Sequence, residues 1–137
     1  MSVTARSLQG YQVAVQAGRH QFVADEPAGV GDDVGPTPYD LLLSALGACT
    51  VMTIQLYARR KGIPLEGVEI SLDTYSTHAN DCKKCEEGES RVSVIERRLS
   101  FKGNLSIEQI QRLTEIANRC PVHRTLSGDI RIHTSVV

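Results

Sequence analysis

The sequence lacks the features that mark three broad classes of protein. Its 15 Lys and Arg residues are balanced by 16 Asp and Glu residues, so it has no basic excess of the kind seen in nucleic-acid-binding proteins and polybasic membrane anchors. The longest uncharged apolar run, Leu41 to Ile54, has 14 residues and is too short to cross a bilayer. The N-terminus, MSVTARSLQG, has no apolar segment of a secretory signal. We therefore expect a cytoplasmic protein with neither nucleic acid nor membrane as a partner.

Several common catalytic motifs are also absent. The sequence has no Gly-rich phosphate loop, no Ser nucleophile elbow and no HExxH motif. Its length of 137 residues, with 41% apolar and 23% charged residues, predicts one globular domain over residues 1–137. Four cysteines in a chain expected to be cytosolic favour redox or metal chemistry over structural disulfides.

Hydrophobic periodicity predicts an α+β fold with mainly antiparallel strands in the order ββαββαβ. The predicted strands cover residues 11–15, 20–24, 68–75, 91–101 and 129–137, and residues 16–19 are the predicted hairpin connection between the first two strands. The predicted helices begin at residues 38 and 107, and Ser106 with Gln109 is predicted to form a capping box at the start of the second helix. Residues 25–38, which contain three Gly and three Pro, are predicted to form a loop. A change of apolar phase between Val94 and Ile95 predicts a β-bulge in the fourth strand.

The first predicted helix is apolar on every side. Thr37 is its expected cap, Pro38 its first residue and Asp40 an acidic residue in its first turn, while Gly62 follows its end at about Lys61. A helix that is hydrophobic all round is buried all round. One small chain has too few elements to cover every face, so we expect a homodimer that packs over this helix.

Two cysteines are the strongest candidates for chemistry. Cys49 lies within the apolar helix and Cys120 at the end of the second helix, and both are predicted to point into the core, as inert buried cysteines also do. If Pro121 begins a new helical turn, Cys120 is its N-cap, a position that favours a thiolate. Cys49 would need a nearby cation to ionise, and Arg19 and Arg124 are the candidates.

A second cluster lies in a polar loop. His78, Cys82 and Cys85 supply three residues of the types that bind zinc, and Asp81 is a candidate fourth ligand. The same residues fit a reversible CxxC disulfide or two free thiols, because a strong zinc site usually shows a second paired motif.

Three further residues near the two helices have functional and structural interpretations. Helical geometry places Asp40 about 180° around the axis from Cys49, which favours a role for Asp40 at the helix N-terminus. Tyr39 is about 80° from Cys49 around the same axis and its hydroxyl could reach a site near the helix start. His123 could lie beside the Cys120 thiol or face solvent.

The segment from Pro38 to Thr50, with Cys49 at its end, and the segment Arg119-Cys120-Pro121-Val122-His123 together resemble the OsmC/Ohr family of thiol peroxidases. The resemblance extends over nearly the whole chain. It is closest to the less characterised OsmC-like branch that also carries an HxxxCxxC loop. It implies an intertwined homodimer in which antiparallel sheets enclose two long central helices, with active sites at the dimer interface.

The same resemblance assigns roles to individual residues. Cys49 matches the peroxidatic cysteine, Cys120 the resolving cysteine, and Arg19 the catalytic arginine near the first β-turn. Ohr proteins carry a Glu directly after the Pro that opens the helix, where this chain has Tyr39, and the acidic residue follows at Asp40. The arginine–carboxylate pair of the family is therefore absent or rebuilt here.

The resulting hypothesis is a cysteine-based peroxidase. The Cys49 thiolate would reduce an organic hydroperoxide, in preference to hydrogen peroxide, and form a sulfenic acid that Cys120 converts to a disulfide. An external dithiol would restore the pair, and no bound cofactor is required. The alternative is a non-enzymatic module that binds a small ligand or senses redox state, with the His78, Cys82 and Cys85 loop as a zinc or redox site.

Overall fold

The structure, a computed structural model, describes residues 2–78 and 91–137. Contacts within the chain group into two compact units, Met1–Ala45 and Leu46–Val137. A long helix, α1 (Pro38–Lys61), begins in the first unit and ends in the second. The single domain expected over residues 1–137 stays a prediction.

The first unit contains a three-stranded antiparallel sheet. Its strands are β1 (Val3–Ser7), β2 (Val13–Ala17) and β3 (His20–Ala24), with β2 in the centre. The predicted four-residue connection is wrong, because Ala17 pairs with His20 and the turn is the dipeptide Gly18-Arg19, with Gly18 at a φ of +60°. The sequence also gave no sign of β1, because all five of its residues are exposed and it has no apolar face.

A buried carboxylate organises the loop that follows β3. Asp25 is 2% exposed, and its side chain accepts hydrogen bonds from the backbone N–H groups of Glu26 at 2.8 Å, Asp32 at 3.1 Å and Val34 at 3.3 Å. Burial raises the pKa of the Asp25 carboxyl, but these three bonds outweigh it and bring that pKa below its usual value. This segment, predicted as an irregular loop, is therefore held by one side chain.

Reciprocal hydrogen bonds begin helix α1 as the sequence predicts. The Asp40 N–H donates to Thr37 Oγ1 at 3.2 Å, and the Thr37 N–H donates to Asp40 Oδ2 at 2.9 Å. The bond from the Thr37 N–H is the main reason why the pKa of Asp40 lies below its usual value. The predicted bounds of α1 and the helix-terminal role of Asp40 are confirmed.

One face of α1 is buried within the second unit. Its buried residues lie on one side of the helix: Leu46, Gly47, Thr50, Ile54 and Ala58. Gly47 packs closely against the hairpin that follows, because a Cβ there would lie 2.9 Å from Leu72 Cδ1 and that side chain would have to shift.

The other face of α1 is open, so the expectation of burial on every side is not met within one chain. Met52 is 66% exposed and Leu56 is 50% exposed. Among the described residues, α1 is the one helix that could span a membrane by length and composition alone. The buried face of α1 is equally typical of a helix packed in a protein core. The homodimer stays a prediction.

A long antiparallel hairpin packs against α1. It consists of β4 (Leu65–His78) and β5 (Arg91–Gly103), with Leu72 opposite Arg97. The predicted bulge between Val94 and Ile95 is wrong, because the pairing there is regular and the register shifts between Leu65 and Gly67 instead. Both Val94 and Ile95 are half-buried on opposite faces of the hairpin, which explains the change of apolar phase.

Two helices follow the hairpin, α2 (Ile107–Ala117) and α3 (Pro121–Ser127). The predicted capping box at the start of α2 is confirmed, with Ser106 and Gln109 exchanging hydrogen bonds. The buried core of the second unit joins α1 to α2 through Ile54, Ala58, Leu113, Ile116 and Ala117.

The last predicted strand is not formed within the chain. Residues 129–137 adopt no regular structure, and Ile132 is 85% exposed. The described order is therefore βββαββαα, instead of ββαββαβ. The alternation of apolar and polar residues is real, but no described strand of the same chain pairs with it.

Candidate active site

Cys49 and Cys120, the two cysteines predicted to point into the core, lie next to each other. Cys49 is in the middle of α1 and is half-buried, and Cys120, between α2 and α3, is 0% exposed. Both are free thiols, and they lie close enough for each to shift the pKa of the other. The accessible sulfur of the pair is therefore Cys49, and the enclosed sulfur is Cys120.

Cys120 is the N-cap of α3, as the sequence suggested for a turn that begins at Pro121. The backbone N–H of His123 donates to Cys120 Sγ at 3.5 Å, and Pro121 is the first residue of the helix. Unpaired N–H groups at a helix start stabilise a negative charge on such a sulfur. The position of Cys120 at the start of α3 therefore favours its thiolate form.

The surroundings move the two thiol pKa values in opposite directions. Burial raises the pKa of Cys120, but hydrogen bonds from Cys49, His123, Thr50 and Val122 together bring that pKa below its usual value. Burial, and then the contact with Cys120, raise the pKa of Cys49 above its usual value. Of the two thiols, Cys120 therefore ionises more readily than Cys49.

Arg97 is a site residue that the sequence interpretation missed. It lies on β5 and is half-buried, and its Nη1 donates to Thr50 Oγ1 and to the Ala117 carbonyl oxygen, each at 3.2 Å. The sequence did contain a signal for Arg97. Inward and outward residues alternate along β5, and Arg97 falls between Ile95 and Leu99 on the face that packs inward. A charged residue at an inward position is rare unless it has partners.

His123 lies beside the Cys120 turn, and Arg97 holds its ring. Arg97 Nη2 is 3.0 Å from His123 Nδ1. A guanidinium group only donates, so Nδ1 must accept and the neutral ring carries its proton on Nε2. Burial, followed by the charge of Arg97, lowers the pKa of His123 below its usual value. The neutral imidazole is therefore the resting form.

A cavity of about 230 Å³ lies next to this histidine. Its walls combine apolar side chains with two hydroxyls, the guanidinium and the imidazole: Leu46, Ser93, Ile95, Arg97, His123, Leu126 and Ser127. Such a mixture of apolar surface and a few convergent polar groups is typical of small-molecule sites.

The other candidate residues that the structure describes are exposed. Arg19 is exposed in the turn between β2 and β3, in the first unit, and Arg124 is exposed on α3. Tyr39 is 63% exposed. The catalytic role of Arg19 stays a prediction. The proposed zinc or redox residues Asp81, Cys82 and Cys85 and the side chain of His78 lie outside the described part of the chain.

One family model matches most of the length of this chain. The model described as OsmC-like protein matches residues 31–135, which include Cys49, Cys120 and the three helices described above. The chain belongs to the OsmC-like family. The finer placement in a branch with an HxxxCxxC loop stays a prediction.

Solved OsmC-like structures share the fold at low sequence identity. An OsmC-like protein from Mycoplasma pneumoniae is 22% identical, with a TM-score of 0.70 over 93% of this chain and 86% of that one. The organic hydroperoxide resistance protein OhrB of Bacillus subtilis is 22% identical, with a TM-score of 0.65 over 93% and 90%. An organic hydroperoxide resistance protein OsmC from Legionella pneumophila is 17% identical, with a TM-score of 0.67 over 93% and 88%. No curated protein matches this OsmC-like chain.

Proposed function

We propose that this OsmC-like protein reduces organic hydroperoxides with Cys49 and Cys120. The observation that carries the proposal is the contact between the two free thiols, one accessible and one enclosed. Such a pair provides an attacking sulfur and a resolving sulfur within one chain. Family members that include organic hydroperoxide resistance proteins support the same substrate class.

The reaction balances with the residues of the pair and one external reductant. Cys49 transfers its proton to the Cys120 thiolate, and its sulfur attacks the hydroperoxide. The O–O bond breaks, Cys49 becomes a sulfenic acid, and the alkoxide takes the proton that Cys120 received and leaves as the alcohol. The Cys120 thiolate then attacks the Cys49 sulfur and displaces hydroxide, which takes a proton from solvent to give water, so the pair loses two electrons and the peroxide gains two. An external dithiol reduces the disulfide by exchange.

Two further parts of the proposal come from the family resemblance. Arg19 would stabilise the Cys49 thiolate and the charge on the departing oxygen. A homodimer would cover the open face of α1, where Met52 and Leu56 are exposed. A dithiol-dependent cycle also suits a reducing, cytoplasmic location.

Single-turnover kinetics test the chemistry. Reduced protein is mixed with cumene hydroperoxide in a stopped-flow instrument, alongside Cys49→Ser and Cys120→Ser. We expect Cys49→Ser to abolish rapid peroxide consumption, and Cys120→Ser to stop at a sulfenic acid that a dimedone probe traps. Mass spectrometry should find a Cys49–Cys120 disulfide in the unmodified protein. Oxidation no faster than that of a free thiol would overturn the peroxidase proposal in favour of ligand binding or redox sensing.

Sedimentation tests the dimer separately. We expect the protein to sediment as a dimer at micromolar concentration and Met52→Asp to shift it toward the monomer, because the substitution places a charge in the covered face. Glu69→Asp, at an exposed position on the hairpin, is the matched control. A monomeric unmodified protein at that concentration would remove the dimer from the proposal.

A further inference from the structure

One guanidinium group joins β5 to all three helices around Cys120. Arg97 Nη1 donates to Thr50 Oγ1 on α1 and to the Ala117 carbonyl at the end of α2, each at 3.2 Å. Arg97 Nη2 donates to Asn118 Oδ1 at 2.9 Å and to His123 Nδ1 on α3 at 3.0 Å. Four bonds from one planar group fix its position relative to three elements.

The partners of this cation are neutral. None of the ion pairs found within the described residues involves Arg97, whereas the neighbouring Arg98 is 61% exposed and pairs with Asp73. Arg97 is half-buried and has no acidic partner among the described residues. Directional hydrogen bonds therefore stabilise its guanidinium group more than charge neutralisation does. Its role is therefore geometric.

The bonds of Arg97 bracket the turn that carries the enclosed thiol. Ala117 and Asn118 precede Cys120, and His123 follows it. The His123 backbone also donates its N–H to Cys120 Sγ at 3.5 Å. Holding the His123 ring therefore holds the residue whose N–H contacts the sulfur.

We infer that Arg97 is a positioning residue that, through His123, holds Cys120 where its sulfur can attack the sulfur of Cys49. The inference concerns the second step of the proposed reaction, in which Cys120 attacks Cys49. It rests on the proposed function for the identity of the physiological oxidant. The geometric requirement is the same for any Cys49 that carries a leaving group on sulfur, so it can be measured without a peroxide.

An aromatic disulfide reagent isolates this step. The Cys49 thiolate attacks the reagent, forms a mixed disulfide and releases one thionitrobenzoate anion. The Cys120 thiolate then attacks the Cys49 sulfur, forms the Cys49–Cys120 disulfide and releases the second anion. The full chain is used with Cys82→Ser and Cys85→Ser, so that loop thiols do not consume reagent. Both releases give the same coloured anion, so they are separated as two kinetic phases: the first depends on reagent concentration and the second does not.

We expect Arg97→Met to slow the second release about 10- to 100-fold while the first changes little, because a small misplacement of a reacting atom costs that much. Arg98→Met, at the exposed neighbouring position, is the matched control and should change neither release. Arg97→Lys keeps the charge without the planar fork, and it should resemble Arg97→Met if geometry matters more than charge.

Substitutions of His123 keep the test valid should Arg97→Met fold poorly. Asn places an acceptor near the position of Nδ1, so His123→Asn should retain most of the second rate, whereas His123→Leu should lose it. Nitrogen NMR of the His123 ring gives an independent readout. It should show the Nε2–H tautomer, and Arg97→Met should raise the ring pKa, because burial and the Arg97 charge lower it in the unmodified protein.

The outcomes distinguish this inference from the peroxidase proposal. Equal second rates in Arg97→Met, His123→Leu and the unmodified protein, or equal slowing of both releases, would overturn the positioning role. A protein inert to hydroperoxides but with a fast second release that depends on Arg97 would overturn the peroxidase proposal alone.

Discussion

Thr50 and Arg97 connect the helix of Cys49 to the strand that faces it. The Thr50 hydroxyl accepts a hydrogen bond from Arg97 Nη1 at 3.2 Å, and Thr50 is 0% exposed. The same hydroxyl donates its one proton to the Leu46 carbonyl oxygen at 2.7 Å. A single buried side chain therefore links the positioning arginine to the helix that carries Cys49.

Thr50→Val should destabilise the protein by about 1–3 kcal/mol, because the isosteric change removes a buried acceptor from a charged donor. Chemical denaturation of the reduced protein measures the change. Thr114→Val is the matched control. Its hydroxyl makes the same type of bond, to the Ile110 carbonyl oxygen at 2.8 Å, but on an exposed surface, and its effect should stay within about 0.5 kcal/mol. Similar losses in both variants would contradict the special position of Thr50.

Removing either thiol should shift the pKa of the other in opposite directions. Cys49→Ala takes a hydrogen bond away from Cys120, so the Cys120 pKa should rise. Cys120→Ala removes the contact that, after burial, most raises the pKa of Cys49, so that pKa should fall. Thiolate absorbance against pH, with Cys82 and Cys85 replaced by Ser, measures both values. Shifts in the same direction would show that Cys120 is not the thiol that ionises more readily.

Asp25 should make the first unit sensitive to acid. Its carboxyl pKa is lower in the folded chain than in the unfolded chain, so its stabilising contribution is complete above the unfolded value of about 3.9. The contribution is lost as the pH falls through the folded pKa. Asp25→Asn should therefore lower stability at neutral pH and flatten its dependence on pH below about 4. Asp33→Asn, an exposed position in the same loop, is the control. An unchanged acid profile in Asp25→Asn would contradict the role of its three hydrogen bonds.

The contact between α1 and α2 should dominate the stability of the second unit. Leu113 is 0% exposed and packs in the core with Ile54, so Leu113→Ala should cost about 2–5 kcal/mol. Ile110, one turn earlier on α2, is 39% exposed, and Ile110→Ala should cost about 1 kcal/mol. Calorimetry measures both losses of stability. If they were equal, Ile110 would also be covered, either by the second subunit expected to pack over α1 or by another surface.

Local sequence signals predicted the parts of the fold that local chemistry decides. Thr37, Pro38 and Gly62 mark the ends of α1, and Ser106 with Gln109 marks the start of α2, because backbone groups at helix ends need partners that nearby side chains supply. The same reasoning failed where pairing is non-local. Nothing in residues 3–7 indicated β1, whose pairing is decided by β2. Residues 129–137 alternate like a strand, but no described strand of the chain pairs with them.

By itself the sequence determined the two caps, the apolar helix and the presence of two inward-facing cysteines in an OsmC-like pattern. Which thiol is enclosed, and that groups distant in the chain lower its pKa, follows from the folded structure alone. The folded structure also decided the role of Arg97, whose partners on three helices cannot be read from its neighbours in the strand. The physical reason is that capping depends on residues within one turn, whereas burial, pKa and hydrogen-bond geometry depend on what the fold brings together.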